Sequence, residues 1–126
     1  MNAADLEKLC MSLKGTTQDI KWGNDLCYLI GEKMYCAINL KGAQNISFKA
    51  TPEDFGELTE REGIVPAPYA ARYYWVMVHN LRSITPKEWK IYVQKSYEMV
   101  LEKLPKKLRD KILGHSARTT YKLPQA

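Results

Sequence analysis

The chain has 126 residues, a formal net charge of +5 and a pI of about 9.1, with 45% hydrophobic and 26% charged residues. This is the length of a single domain able to build its own core, and the balance of an ordinary globular protein rather than a disordered or disulfide-stapled one. No apolar run approaches the roughly 20 residues that span a bilayer, and no basic-then-apolar leader follows Met1, so a membrane protein or a secreted precursor is not expected.

The first helix is predicted over residues 3–13. Asn2 caps it, Leu6, Leu9, Cys10 and Leu13 share one face, and Gly15 ends it. Residues 17–22 read as extended, with Ile20 and Trp22 on one side. Residues 25–30 and 33–38 form a hairpin about Gly31-Glu32, where glycine at the first turn position suits a type II′ turn. A two-residue loop sets Ile30 against Lys33, Leu29 against Met34, Tyr28 against Tyr35 and Cys27 against Cys36. Cys27, Leu29, Met34, Cys36 and Ile38 then read as the core face, and Leu26, Tyr28, Ile30, Lys33, Tyr35 and Ala37 as the face open to solvent or a partner. Residues 45–50 alternate again, with Ile46, Phe48 and Ala50 on one side.

Thr51-Pro52 opens a short helix that Gly63 closes, and Val65 to Tyr69, with two prolines, reads as a loop. Tyr73 to His79 is a further strand, with Tyr74, Val76 and Val78 on one side. The long helix is the plainest element: Thr85 caps it, Pro86 starts it, Glu88 completes a capping box, and it runs to Lys103. Pro105 begins a short basic helix with Leu108 and Ile112 inward. Residues 1–113 make one domain, and 114–126 a polar, mobile tail. The fold class is α+β, helices on one face of a twisted antiparallel sheet, in two layers.

Five segments carry a resemblance: Gly31-Glu32-Lys33-Met34-Tyr35, Ser47 to Glu53, Val65 to Tyr69, Tyr74 to Val78, and Ser96 to Val100 with Leu104 to Lys107. In this order and spacing they resemble the MmcQ/YjbR-like family over about residues 2–112. The resemblance implies a CyaY-like (frataxin-like) fold and a bacterial cytoplasmic setting. It also implies a DNA-binding role proposed for the family through two wing-like hairpins. The stretch from Thr16 to Trp22 lacks the proline expected before the first hairpin, and nothing carries over beyond Leu113.

The charge is uneven. Residues 1–63 hold 7 Lys/Arg and 10 Asp/Glu, whereas residues 64–126 hold 12 and 4. The basic half points toward an anionic partner or toward solvent alone. Lys33, Lys41, Gln44 and Asn45 sit at the hairpin tips, and Lys103, Lys106, Lys107, Arg109 and Lys111 crowd the C-terminal helix, with Arg118 and Lys122 beyond. Tyr28, Tyr35, Tyr69, Tyr73, Tyr74 and Trp75, interleaved with Lys33, Lys49 and Arg72, read either as a stacking surface or as packing.

Enzyme signatures are missing. His79 and His115 have no partner at triad or ligand spacing, and no nucleophile elbow, P-loop or dinucleotide fingerprint occurs. Cys10, Cys27 and Cys36 are an odd set without metal spacing, read as reduced core thiols. An iron-carrier reading needs an acidic ridge, and Asp5, Glu7, Asp19 and Asp25 are too sparse.

The expectation is therefore a non-enzymatic, cytoplasmic, monomeric DNA-binding module without metal or cofactor. Lys33, Lys41, Lys49, Arg72, Lys106, Lys107 and Arg109 would meet phosphate, and Tyr35 would stack or pack at the edge. The alternatives are a protein-interaction domain presenting the open sheet face, and an enzyme with a pocket near Val65 to Tyr69.

Overall fold

The computed structural model describes residues 1–114. His115, Arg118 and Lys122, and the tail they belong to, lie outside the described residues. Local signals start the first three helices where expected, but the first ends at Met11 and the second at Leu58, short of the expected residue 13 and Gly63. α1 (Ala3–Met11) begins on Asn2, whose Oδ1 accepts from the Asp5 amide at 2.8 Å. α2 (Pro52–Leu58) begins on Thr51 in the same way. α3 (Pro86–Glu102) has the full reciprocal box: Thr85 Oγ1 accepts from the Glu88 amide at 3.1 Å, and Glu88 Oε1 accepts from the Thr85 amide at 3.0 Å. α4 (Lys106–Leu113) follows Pro105 and ends at Gly114 in a left-handed conformation.

Among the described residues, six strands form one antiparallel sheet in the order β1-β2-β3-β4-β6-β5. These are β1 (Thr17–Lys21), β2 (Asp25–Ile30), β3 (Lys33–Asn39), β4 (Ile46–Lys49), β5 (Ile64–Pro66) and β6 (Trp75–Val78). β5 corrects the loop expected from Val65 onward. It is an edge strand, and only an edge tolerates Pro66 without losing a ladder bond. β6 starts two residues later than expected, because Ala71–Tyr73 form a 3-10 turn and Tyr74 takes a left-handed φ of 66°.

The central hairpin departs from the expected register. Ile30 faces Lys33 and Leu29 faces Met34, but the ladder then slips, so that Tyr28 faces Cys36 and Cys27 faces Ala37. Tyr35 is the extra residue of a β-bulge, and one extra residue turns the side chains beyond it to the other face. The core therefore takes Tyr28 and Ile30 from β2, opposite to the expected assignment, together with Cys36 and Ile38 from β3. Cys27 and Leu29 lie outside this core cluster although both are buried. The turn itself has positive φ at both Gly31 (58°) and Glu32 (67°), which is type I′ rather than II′.

One core cluster joins the inner sheet face to the helices. Phe48 meets Trp89 edge-on and stacks on Tyr92, each at 6.0 Å between centroids. Tyr35 meets Tyr97 edge-on at 5.4 Å. α4 turns Leu113 inward and leaves Leu108 exposed, reversing the expectation for Leu108. All three cysteines are free and buried. Cys36 lies beside Cys10, and a hydrogen bond between the thiols, reinforced by burial, pushes the Cys36 thiol up.

Candidate nucleic-acid interface

Two-residue alternation decides what faces away from the helices. Ile46 and Phe48 of β4, and Val76 and Val78 of β6, enter the core, so Ser47, Lys49, Trp75 and Met77 lie on the opposite face. There Met34, Ala37, Ser47, Trp75 and Met77 form the floor of a groove of about 600 Å³. The segment Ala67 to Ala70 and Trp22 supply further lining, and Asp25 supplies a carboxylate. Trp22 is 72% exposed and Tyr69 fully exposed. Both hold left-handed backbone, with φ of 52° and 66°. For such residues this costs on the order of 1–2 kcal/mol each.

A second, cationic pocket of about 340 Å³ adjoins the groove, since Met34 lines both. Lys33 of β3, Lys49 of β4 and Lys103 at the end of α3 line it with Met99, Val100, Leu104 and Pro105, and no carboxylate among the described residues does. Lys49 is the best positioned. Its amide donates to Ser96 Oγ at 3.0 Å, its Nζ donates to the Tyr73 carbonyl at 2.8 Å, and it lies 6.0 Å from the Tyr73 ring centroid. Burial, and then the nearby charge of Lys103, hold the Lys49 ammonium below the usual lysine range. The Arg72 guanidinium lies 4.9 Å from the centroid of the same Tyr73 ring. A cationic track thus runs from Arg72 over Tyr73 to Lys49, Lys103 and Lys33.

α4 continues from Pro105 beside this pocket, with Lys106 and Lys107 exposed. Lys106 pairs with Asp110 at 3.0 Å, and Arg109 Nη1 donates to the Glu102 carbonyl at 3.2 Å. Lys41 does not join the track. It lies past the far end of β3, whose seven residues span roughly 20 Å, so the two hairpin tips occupy opposite ends of the sheet.

Tyr35 is a correction. Its side chain is wholly buried, with its hydroxyl 2.8 Å from Thr16 Oγ1 and 3.3 Å from the Cys10 carbonyl, so it can stack on nothing outside. The bulge is what turns it inward. Asn45, expected at a tip, is half-buried against the outer sheet face, its Nδ2 donating to Met77 Sδ at 3.6 Å. Nor is the β2–β3 tip a free wing: a Cβ on Gly31 would lie 2.6 Å from Leu104 Cδ1.

The sequence does not point to Trp22 as a site residue, and it offers Tyr73 only within an aromatic set that reads as stacking or packing. Lys103 stood out only as part of a basic run. Its place beside Lys49 depends on the packing of α3, which no spacing reveals.

A family model described as YjbR matches residues 11–99. The chain belongs to the YjbR family. This YjbR-family protein is similar to the crystal structure of a Deinococcus radiodurans protein with a DUF419 domain, with a TM-score of 0.79 and 21% identity, over 88% of this chain and 87% of that one. It is also similar to a Pseudomonas syringae protein, with a TM-score of 0.64 and 22% identity, over 79% of this chain and 98% of that one. At these identities the likeness is one of fold. No curated protein matches the chain.

Proposed function

We propose that this YjbR-family protein binds nucleic acid through the track formed by Arg72, Tyr73, Lys49, Lys103 and Lys33, extended by Lys106 and Lys107. The supporting observation is that lysines from β3, β4 and the end of α3 line one pocket, with no carboxylate among its described lining residues. Cations gathered this way displace condensed counterions from a phosphate backbone, so affinity falls steeply with salt. Lys49, already partly desolvated, loses less hydration on meeting phosphate than a free lysine would. The reduced, buried thiols suit a cytoplasmic setting, which is part of the same proposal.

The test is fluorescence anisotropy of the full chain with labelled DNA between about 50 and 200 mM salt. Binding with a steep negative salt slope is expected, with a smaller slope for the Lys33→Ala/Lys49→Ala/Lys103→Ala triple variant. Absence of salt-dependent binding by the wild type would overturn the reading. The apolar groove favours a second reading, a protein-interaction surface, which predicts partner capture indifferent to the triple substitution.

A further inference from the structure

We infer that the track and the groove act as one site for an unpaired nucleotide, with the base in the groove and its phosphate on the lysine pocket. This rests on the nucleic-acid reading and narrows it to single strands.

The first observation is contiguity. Met34 lines both cavities, and Lys49 stands directly opposite Trp75 in the β4–β6 ladder, so the cationic and aromatic surfaces meet at a single cross-strand pair. The second is chemistry. The groove is lined by Trp22, Trp75, Tyr69, Met34 and Met77, and no lysine or arginine among the described residues lines it. Such a surface suits a flat, uncharged ring, and every base offers one. Besides the Tyr69 hydroxyl and the two indole N–H groups, the polar side chains lining it are Ser47 and Asp25. Asp25 accepts from Asn39 Nδ2 at 3.0 Å and has no lysine or arginine partner among the described residues. A carboxylate of this kind accepts a hydrogen bond from the exocyclic amine of cytosine or adenine.

The third is access. Bases in a duplex are stacked and paired, and reaching the groove would require flipping one out. A single strand presents its bases freely. Trp22 and Tyr69 stand exposed at the groove on strained backbone, as side chains that contact a ligand often do.

The experiment compares four ligands on the full chain at one salt concentration. They are a labelled cytosine strand of about 12 nucleotides, the same strand with its complement, a strand of abasic residues of equal length, and the free mononucleotide. The single strand is expected to bind about tenfold more tightly than the duplex or the abasic strand, with Trp22→Ala removing that advantage. Trp22 is exposed, and the variant's binding to the abasic strand serves as the internal control for its fold. Asp25→Asn is expected to abolish a preference for cytosine over thymine strands. Salt-dependent binding that is equal for single, double and abasic strands, and unmoved by Trp22→Ala, sinks the base site while leaving the nucleic-acid reading intact. No binding to any strand sinks both. A mononucleotide bound as tightly as the strand assigns the site to a free nucleotide and overturns the single-strand assignment.

Discussion

The Ser96 hydroxyl donates to the Tyr35 carbonyl at 2.6 Å and at the same time accepts from the Lys49 amide at 3.0 Å. Tyr35 belongs to β3 and Lys49 to β4, and the bulge at Tyr35 leaves these two main-chain groups to a side chain from α3. Ser96 is the one fully buried polar residue among the described core, and it completes the ladder at the point where the strands part. Ser96→Ala deletes both bonds and strands a carbonyl and an amide. The expected loss is about 2–4 kcal/mol, seen as a lower urea midpoint with an unchanged slope. An unchanged midpoint would mean that the bulge satisfies these groups some other way.

Arg61 ties the end of α2 to the start of α3. It meets both Glu88 oxygens, at 3.0 and 2.9 Å, as well as Glu57 Oε2 and the Ser83 carbonyl. These bonds, with the Thr85 amide, hold the Glu88 carboxyl down at about 2, against an ordinary 4.5. A depressed carboxyl stabilises the fold above its unfolded value, and that contribution disappears as pH falls from about 4.5 toward 2. The side chains are 24% and 31% exposed, so about 1–2 kcal/mol is expected after screening. Urea titrations at pH 6 and pH 3 check it: the gap between the two stabilities should shrink in Arg61→Gln.

The β2–β3 turn is docked, and Gly31 is the reason it can be. Its φ is +58°, and an added Cβ would press on Leu104 Cδ1 at 2.6 Å and on Cδ2 at 3.0 Å. Gly31→Ala should therefore cost about 1–3 kcal/mol of stability, from backbone strain and overpacking together. The neighbouring Lys33→Ala should leave stability nearly unchanged, since Lys33 is exposed. Thermal melts of the two variants distinguish a docked turn from a free wing.

Lys41 and Lys49 were equal candidates by composition, and the fold separates them. Lys49→Ala should weaken DNA binding and reduce the salt slope by about one phosphate equivalent. Lys41→Ala, beyond the opposite end of β3, should leave both within error. Equal effects from the two in the anisotropy titration would contradict a single track.

The helices could be read from short stretches of chain, because their signals are local. Asn2, Thr51 and the Thr85–Glu88 box each act within four residues of the helix they start. The alternation of β4 was readable for the same reason, and the cationic excess of the second half was visible as composition. Other features depended on partners distant in the chain. The bulge that buried Tyr35 is bridged by Ser96, sixty-one residues further on, and without it the two-residue period assigns the faces of β2 the wrong way round. Pro66 spoke for a loop until an edge position made a strand possible. Lys33, Lys49 and Lys103 share a pocket only because α3 packs across the end of the sheet, and Trp22 and Trp75 share a groove only because of strand order. Capping and alternation are set by neighbours in sequence. Which side chains converge on a surface is set by the packing of distant segments, and that is a property of the folded molecule alone.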